Sequence, residues 1–166
     1  MHNLVKWLIG FVVVIVIILL LSGMYFFHVA QVRNPKSNQP DILRSKDNSL
    51  YRYENTFLAR HKQIWHETTR DGLKLDAWYV PADKKTNKTA ILAHGWHNNK
   101  TTMAIYGELF HELGYNVLIP DNRAHGDSQG KIIGYGWLDR RDYIQWLNQI
   151  IKYQGQDTDI IMYGMS

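Results

Sequence analysis

The segment Asp159-Ile160-Ile161-Met162-Tyr163-Gly164-Met165-Ser166 is a short apolar run that passes into Gly-x-Ser. In the longer pattern G-x-S-x-G, a strand breaks into a sharp turn that lifts the serine hydroxyl above the sheet edge, and small residues let the next helix start tightly. The first half of that pattern stands here. Ser166 is therefore a candidate nucleophile for acyl transfer, a reaction that needs a base for the hydroxyl proton and fixed dipoles for the oxyanion. Gly-x-Ser alone also occurs in ordinary loops, so the reading depends on two upstream clusters. These are His94-Gly95-Trp96-His97-Asn98-Asn99 and Asp121-Asn122-Arg123-Ala124-His125-Gly126-Asp127-Ser128.

Each cluster also has a plainer reading. His94, His97 and His125 could be taken for metal ligands, but no carboxylate-rich ligand set accompanies them and two loop histidines make a loose template. His94 is expected to hydrogen-bond its own loop, His97 to be exposed, and no metal or cofactor is expected. His125 is read as part of a turn held by local polar contacts, with Arg123 and Asp121 as partners, rather than as a base. Asp139 and Asp142 fall in the first turns of a helix, where negative charge complements the macrodipole, so they are read as capping rather than as an acid pair. Tyr143 and Trp146 read as core. Ser128-Gln129-Gly130 lacks phosphate-loop spacing. With no cysteine in the chain, disulfides, thiolate nucleophiles and cysteine-ligated metals are excluded.

The elements that must position these residues follow from periodicity. Gln63–Thr69 and Lys74–Val80 alternate around Asp71-Gly72 and predict an antiparallel hairpin. Lys88–Ala93 and Tyr115–Pro120 are apolar runs too short for helices and predict buried strands. Between them, Ile105, Leu109 and Leu113 mark a helix over Thr101–Leu113 that Gly114 stops. Ile144, Leu147 and Ile151 mark another over Trp137–Gln154, stopped by Gly155 and followed by a last buried strand at Asp159–Tyr163. A further short helix is expected within Leu50–Lys62. The order β-β-β-α-β-α-β predicts an α/β fold with a mostly parallel sheet whose first strands are antiparallel. In such sheets chemistry gathers at the strands' carboxyl ends, where all three clusters fall.

The first 50 residues have another character. Trp7–Phe27 carries no charge and counts 21 residues, which as a helix spans roughly 30 Å of hydrocarbon. A transmembrane anchor over residues 1–30 is expected, then a polar linker at 31–50 and a globular part at 51–166. A cleavable signal peptide is the competing reading, but Tyr25-Phe26-Phe27-His28 offers no small-x-small cleavage site and suits an interfacial aromatic belt. Arg33, Lys36, Arg44 and Lys46 after the span argue by charge counting for a cytoplasmic globular part, whereas the short tail before it resembles a signal anchor with an exported domain. The expectation adopted is a single-pass protein of the cell membrane with its globular part outside. The composition, 45% hydrophobic and 20% charged with a net charge of +4, is that of a folded domain without a basic block for nucleic acid.

Taken together, His94-Gly95-Trp96, the Asp121–Ser128 loop, Gly136-Trp137-Leu138-Asp139 and Gly164-Met165-Ser166 resemble the α/β-hydrolase fold. More specifically, they resemble membrane-anchored bacterial members related to the serine aminopeptidase and lysophospholipase-like branch. The resemblance covers the chain from about Gln63 onward. It implies that Ser166 is the nucleophile, that the backbone N–H of Trp96 is one oxyanion donor, and that an acid and a histidine follow later in the family's order. The chain is expected to be the N-terminal part of such a domain, inactive in this form, its parent acting on small-molecule or lipid-like acyl substrates. A membrane-tethered interaction module without chemistry is the alternative.

Overall fold

The computed structural model describes residues 2–33 and 46–165, and chain contacts divide the protein into two units, Met1–Val32 and Arg33–Ser166. In the first, α1 (His2–Gln31) is one continuous helix with no buried side chain. It is long and apolar enough to cross a membrane, and it contains the whole uncharged stretch picked out by sequence. Most of the expected linker lies outside the described residues.

The second unit opens with α2 (Tyr51–Ala59), then β1 (Gln63–Thr68), β2 (Lys74–Val80) and β3 (Lys88–Ala93). A 3₁₀ turn at Lys100–Met103 leads into α3 (Ala104–Glu112), followed by β4 (Asn116–Pro120), α4 (Asp139–Gln154) and β5 (Asp159–Gly164). The hairpin closes where Thr69 donates its N–H to Leu73 O at 2.9 Å and its hydroxyl accepts from Leu73 N at 2.9 Å. Gly72, at φ +84°, takes the left-handed position that this turn requires.

The sheet order is β1-β2-β4-β3-β5. β2 is antiparallel to both β1 and β4, while β3 is parallel to β4 and β5, so β2 alone runs against the rest. Alternation along the strands splits the core between the two faces. Ala90, Leu92, Val117 and Ile119 pack with Phe57, Met103 and Ala104 from the α2 and α3 side. Ile91, Leu118, Ala77 and Tyr79 pack with Trp146 and Ile150 of α4. Because helices cover both faces, β3 and β4 read as continuous apolar runs rather than alternating ones. At Gly107 an added Cβ would meet the Phe57 ring at 2.6 Å, so the missing side chain is what lets α3 lie against α2.

Two boundaries and one burial pattern differ from the sequence reading. The helix expected from Thr101 begins as a 3₁₀ turn because the Asn99 carboxamide oxygen accepts the Thr101 N–H at 3.0 Å. α4 starts at Asp139 rather than Trp137, since Trp137 N–H is spent on Gly134 O in the preceding turn, at 3.0 Å. β5 was expected to be buried, yet Met162 and Tyr163 are exposed. Among the described residues β3 is its only neighbour, and β5 forms the sheet edge.

Candidate functional site

β3 and β5 run in parallel register to their ends, with Ala93 opposite Gly164, and Met165 N–H donates to Ala93 O at 3.0 Å. Ser166 is the next residue and lies outside the described residues. Trp96 stands three positions past Ala93, inside a turn closed by Asn98 N–H on Gly95 O at 3.2 Å. Its ring is half exposed and stacks on His97 at 3.8 Å between centroids, and His97 has φ +56°. The two strand ends therefore deliver Trp96 and Gly164-Met165 to the same end of the sheet.

His94 fixes the start of this turn. Its Nδ1–H donates to Gly95 O at 2.8 Å, and its Nε2 accepts Asn122 N–H at 3.0 Å. Asn122 returns a bond from Nδ2 to His94 O at 3.2 Å, and its Oδ1 accepts from the Tyr143 hydroxyl at 2.7 Å. Burial pushes the His94 imidazole down to about 4, which keeps it neutral, as the accepting Nε2 requires. The loop after β3 is thus clamped to the loop after β4 through a ring with no spare nitrogen. His125 meets His94 edge to face, with ring centres 5.0 Å apart, and donates Nδ1–H to Arg123 O at 2.9 Å. Its Nε2 is buried without a hydrogen-bond partner among the described residues, and burial lowers its basicity as well.

Sequence reasoning missed Lys100. Its Nζ donates to Asp76 at 2.6 Å, Asp121 at 2.7 Å and Asp127 at 2.6 Å, and its backbone N–H reaches the other Asp121 oxygen at 2.7 Å. Lys100, Asp76 and Asp121 are buried. The three carboxylates lie within 4.8 Å of one another, a spacing that could suit a cation, but the ammonium already fills the space between them. Nothing in the sequence ties Lys100 to strand β2 and to the loop after β4. Gly126, at φ +47°, passes so close to the Asp121 carboxylate that a Cβ there would collide with it.

The local contacts expected of this turn form at Asp121, whose carboxylate accepts Asp127 N–H at 2.8 Å and whose carbonyl accepts the Ser128 hydroxyl at 2.7 Å, but not at the Arg123 side chain. Arg123 instead binds Asp142 with two 2.8 Å bonds, from Nε and Nη2, and reaches Asp71 at 3.0 Å. Asp142 is accordingly a buried ion-pair partner rather than a helix cap, while Asp139 accepts the Gly136 N–H at 2.8 Å and pins the preceding loop. A bidentate guanidinium–carboxylate pair is the strong form of this interaction.

Glu67 of β1 is buried, and neither carboxyl oxygen has a hydrogen-bond partner among the described residues. Burial, with the charge of Asp142 adding to it and Arg123 opposing, raises its pKa to about 8. A carboxyl whose folded pKa exceeds its unfolded value gives stability that is complete below the unfolded value and is lost as pH rises through the folded one. The Glu67 contribution should therefore fall between about pH 4.5 and about pH 8, against the opposite trend of the buried His94 and His125, whose lowered basicity makes their contributions grow as pH rises. Glu67→Gln is expected to flatten that slope and to gain about 1–3 kcal/mol at pH 8. Urea unfolding at pH 5, 6.5 and 8 measures it.

A cleft of about 510 Å³ opens beside these loops, lined by Ala93, His94, Asn122, Arg140, Tyr143 and Met162, among others. The lining also includes Asp139, together with Ile144 and Leu147 of α4.

No family model matches the chain. YqkD of Bacillus subtilis, an uncharacterized protein, is 32% identical over 137 residues, 82% of this chain and 43% of YqkD. An esterase from Pyrococcus furiosus is 29% identical over 65% of this chain and 43% of its own, with a TM-score of 0.54. An alpha-beta serine hydrolase homologue from Coxiella burnetii (20% identical, 63% of this chain and 51% of its own, TM-score 0.54) shares the fold. So does a soluble variant of Saccharomyces cerevisiae monoglyceride lipase (17%, 66% and 36%, TM-score 0.52). The chain thus spans less than half the length of YqkD and of the esterase. The strand order, the single opposed strand β2 and these likenesses agree: the globular unit is the N-terminal part of an α/β-hydrolase fold.

Proposed function

We propose that this chain belongs to a membrane-anchored serine hydrolase that cleaves ester, thioester or peptide-like acyl bonds, with Ser166 as nucleophile. The observation that carries the reading is the register of Ala93 against Gly164, closed by Met165 N–H on Ala93 O. It supports a geometry in which the turn holding Trp96 flanks the residue that follows Met165. In the proposed reaction Ser166 Oγ attacks the acyl carbon while a base takes its proton. The backbone N–H of Trp96 holds the resulting oxyanion, a kind of donor whose removal typically costs about 3 kcal/mol of barrier. Collapse expels the protonated leaving group, and water then releases the acyl group.

Neither His94, whose ring nitrogens are both engaged, nor the buried His125, tied to Arg123 O, suits the role of base. The proton acceptor and its acid partner are assigned to residues outside these 166, in keeping with a chain that spans 43% of YqkD. α1 is read as the single-pass anchor, residues 1–30, with 31–50 as linker, 51–166 as hydrolase residues and the globular part on the extracytoplasmic side. Proximity to lipid favours acylglycerol-like substrates.

Fluorophosphonate labelling tests the assignment. The protein expressed from its whole gene should label covalently, with Ser166→Ala reducing labelling at least 100-fold at unchanged melting temperature. The 166-residue polypeptide should show no Ser166-dependent turnover of an activated ester. Undiminished labelling of the alanine variant would remove Ser166 from the mechanism and favour a tethered module without chemistry.

A further inference from the structure

The segment Lys131-Ile132-Ile133-Gly134-Tyr135-Gly136-Trp137-Leu138-Asp139-Arg140-Arg141 puts its apolar side chains in the wrong place for a soluble surface. Trp137 is 71% exposed and Tyr135 56%, with Ile132 and Leu138 exposed beside them. The display is built rather than loose. Buried Ile133 pegs one end, Gly136 N–H is held by Asp139, and Tyr135 and Gly136 adopt φ of +47° and +79°. A tyrosine held at positive φ carries a steric cost that packing around it must offset. The Arg140 guanidinium lies 3.6 Å over the Trp137 ring. Lys131, Arg140 and Arg141 are exposed, while the one acid in the segment, Asp139, is buried. Tryptophan and tyrosine interleaved with exposed cations is the composition that settles at the headgroup level of an anionic bilayer.

A second observation concerns reach. Arg33, two residues after Gln31 in sequence, donates its backbone N–H to Lys131 O at 2.9 Å. Its guanidinium binds Ser128 O at 2.7 Å and Gly126 O at 2.5 Å. Those bonds tie the loop to the first residue of its own unit, two residues along the chain from the end of α1.

We infer that the 131–141 loop is a lipid-docking surface that inserts Tyr135 and Trp137 among anionic headgroups and presents the adjoining cleft to the membrane. This rests on the reading of α1 as a membrane span, which the test reads separately. The chain has no cysteine, so single substitutions accept a fluorescent label without competition. The full chain is reconstituted in vesicles of phosphatidylethanolamine and phosphatidylglycerol, with an environment-sensitive label at Leu138→Cys, at Ile132→Cys as a second site, at Tyr153→Cys and at Leu19→Cys. The labels at 138 and 132 should shift to the blue and be quenched by shallow doxyl lipid at least threefold more than the label at 153. Tyr135→Ser with Trp137→Ser should abolish that difference, and raised salt or uncharged lipid should weaken it. Iodide quenching at 138 and 132 equal to that at 153 overturns the proposal. So does protection from iodide without doxyl quenching, which would mean that protein covers the loop. The label at Leu19 reports on α1 alone: quenching there by deep doxyl lipid, with none at 138 and 132, leaves the anchor standing and the docking surface refuted. Lipid contact at 138 without it keeps docking and removes the anchor.

Discussion

Lys100→Met is expected to lower the unfolding free energy by about 3–5 kcal/mol, because it strands buried carboxylates without their cation. Asp76 and Asp121 are buried, and Asp121 also accepts Asp127 N–H at 2.8 Å, so it cannot turn toward water without breaking another bond. His66, 3.4 Å from Asp76, is half exposed and would recover little of the lost charge. Burial pulls the Lys100 ammonium down, but Asp121, Asp127 and Asp76 outweigh it and hold the group well above the ordinary lysine range. A lysine raised in this way contributes stability that is complete below its unfolded value and is lost only as pH rises through the folded one. The wild-type contribution should therefore persist at neutral pH and fade in strong alkali. Adding Asp121→Asn to Lys100→Met should recover part of the loss, whereas Lys100→Arg should not, since a planar fork cannot replace three donors converging from one point. Denaturant unfolding of the whole chain in detergent micelles, followed by near-ultraviolet circular dichroism, measures all three.

Arg123→Met should cost a comparable 3–5 kcal/mol or so, through Asp142. Burial pushes the Asp142 carboxyl up and Arg123 holds it down. Once the guanidinium is gone, the folded pKa of Asp142 rises further above its unfolded value, so stability is retained in acid and lost as pH increases. The deficit of Arg123→Met relative to wild type should accordingly be smaller at pH 5 than at pH 8, and Asp142→Leu in the same chain should restore a large part of it. Asp71, mostly exposed at the other side of the guanidinium, should matter by less than about 1 kcal/mol. A deficit that did not vary with pH would point to lost packing of the arginine stem instead of the uncompensated charge.

What the sequence revealed and what it hid divide along the range of the interactions. The hairpin around Gly72, the apolar runs of β3 and β4 and the stop at Gly155 are local statements, and the structure repeats them within a residue or two. The self-contained turn after His94 was legible for the same reason, since its Nδ1 bond reaches only to the next residue. The second bond of His94, to Asn122, was not, because it spans 28 residues and depends on β3 and β4 lying side by side. Lys100 looked like any lysine near a helix start, as its partners come from β2 and from beyond β4. Asp142 satisfied every rule for a capping acid, and only the fold reveals Arg123 beside it. The exposure of β5 was hidden by its apolar composition, which reflects what a strand can bury rather than which side of it is open.

The strand order also governs how the domain is made. β3 leaves the ribosome before either strand that flanks it, since its neighbours β4 and β5 both follow it in the chain. Four of its six residues, Thr89–Leu92, are buried in the finished sheet, so during synthesis a short apolar ribbon waits uncovered while 22 more residues emerge before β4 begins at Asn116. β4 must then enter between two strands already made, pairing with β2 on one side and β3 on the other. Folding speed is therefore set by how readily that middle strand slots in, and β3 is the natural handhold for a chaperone in the interval.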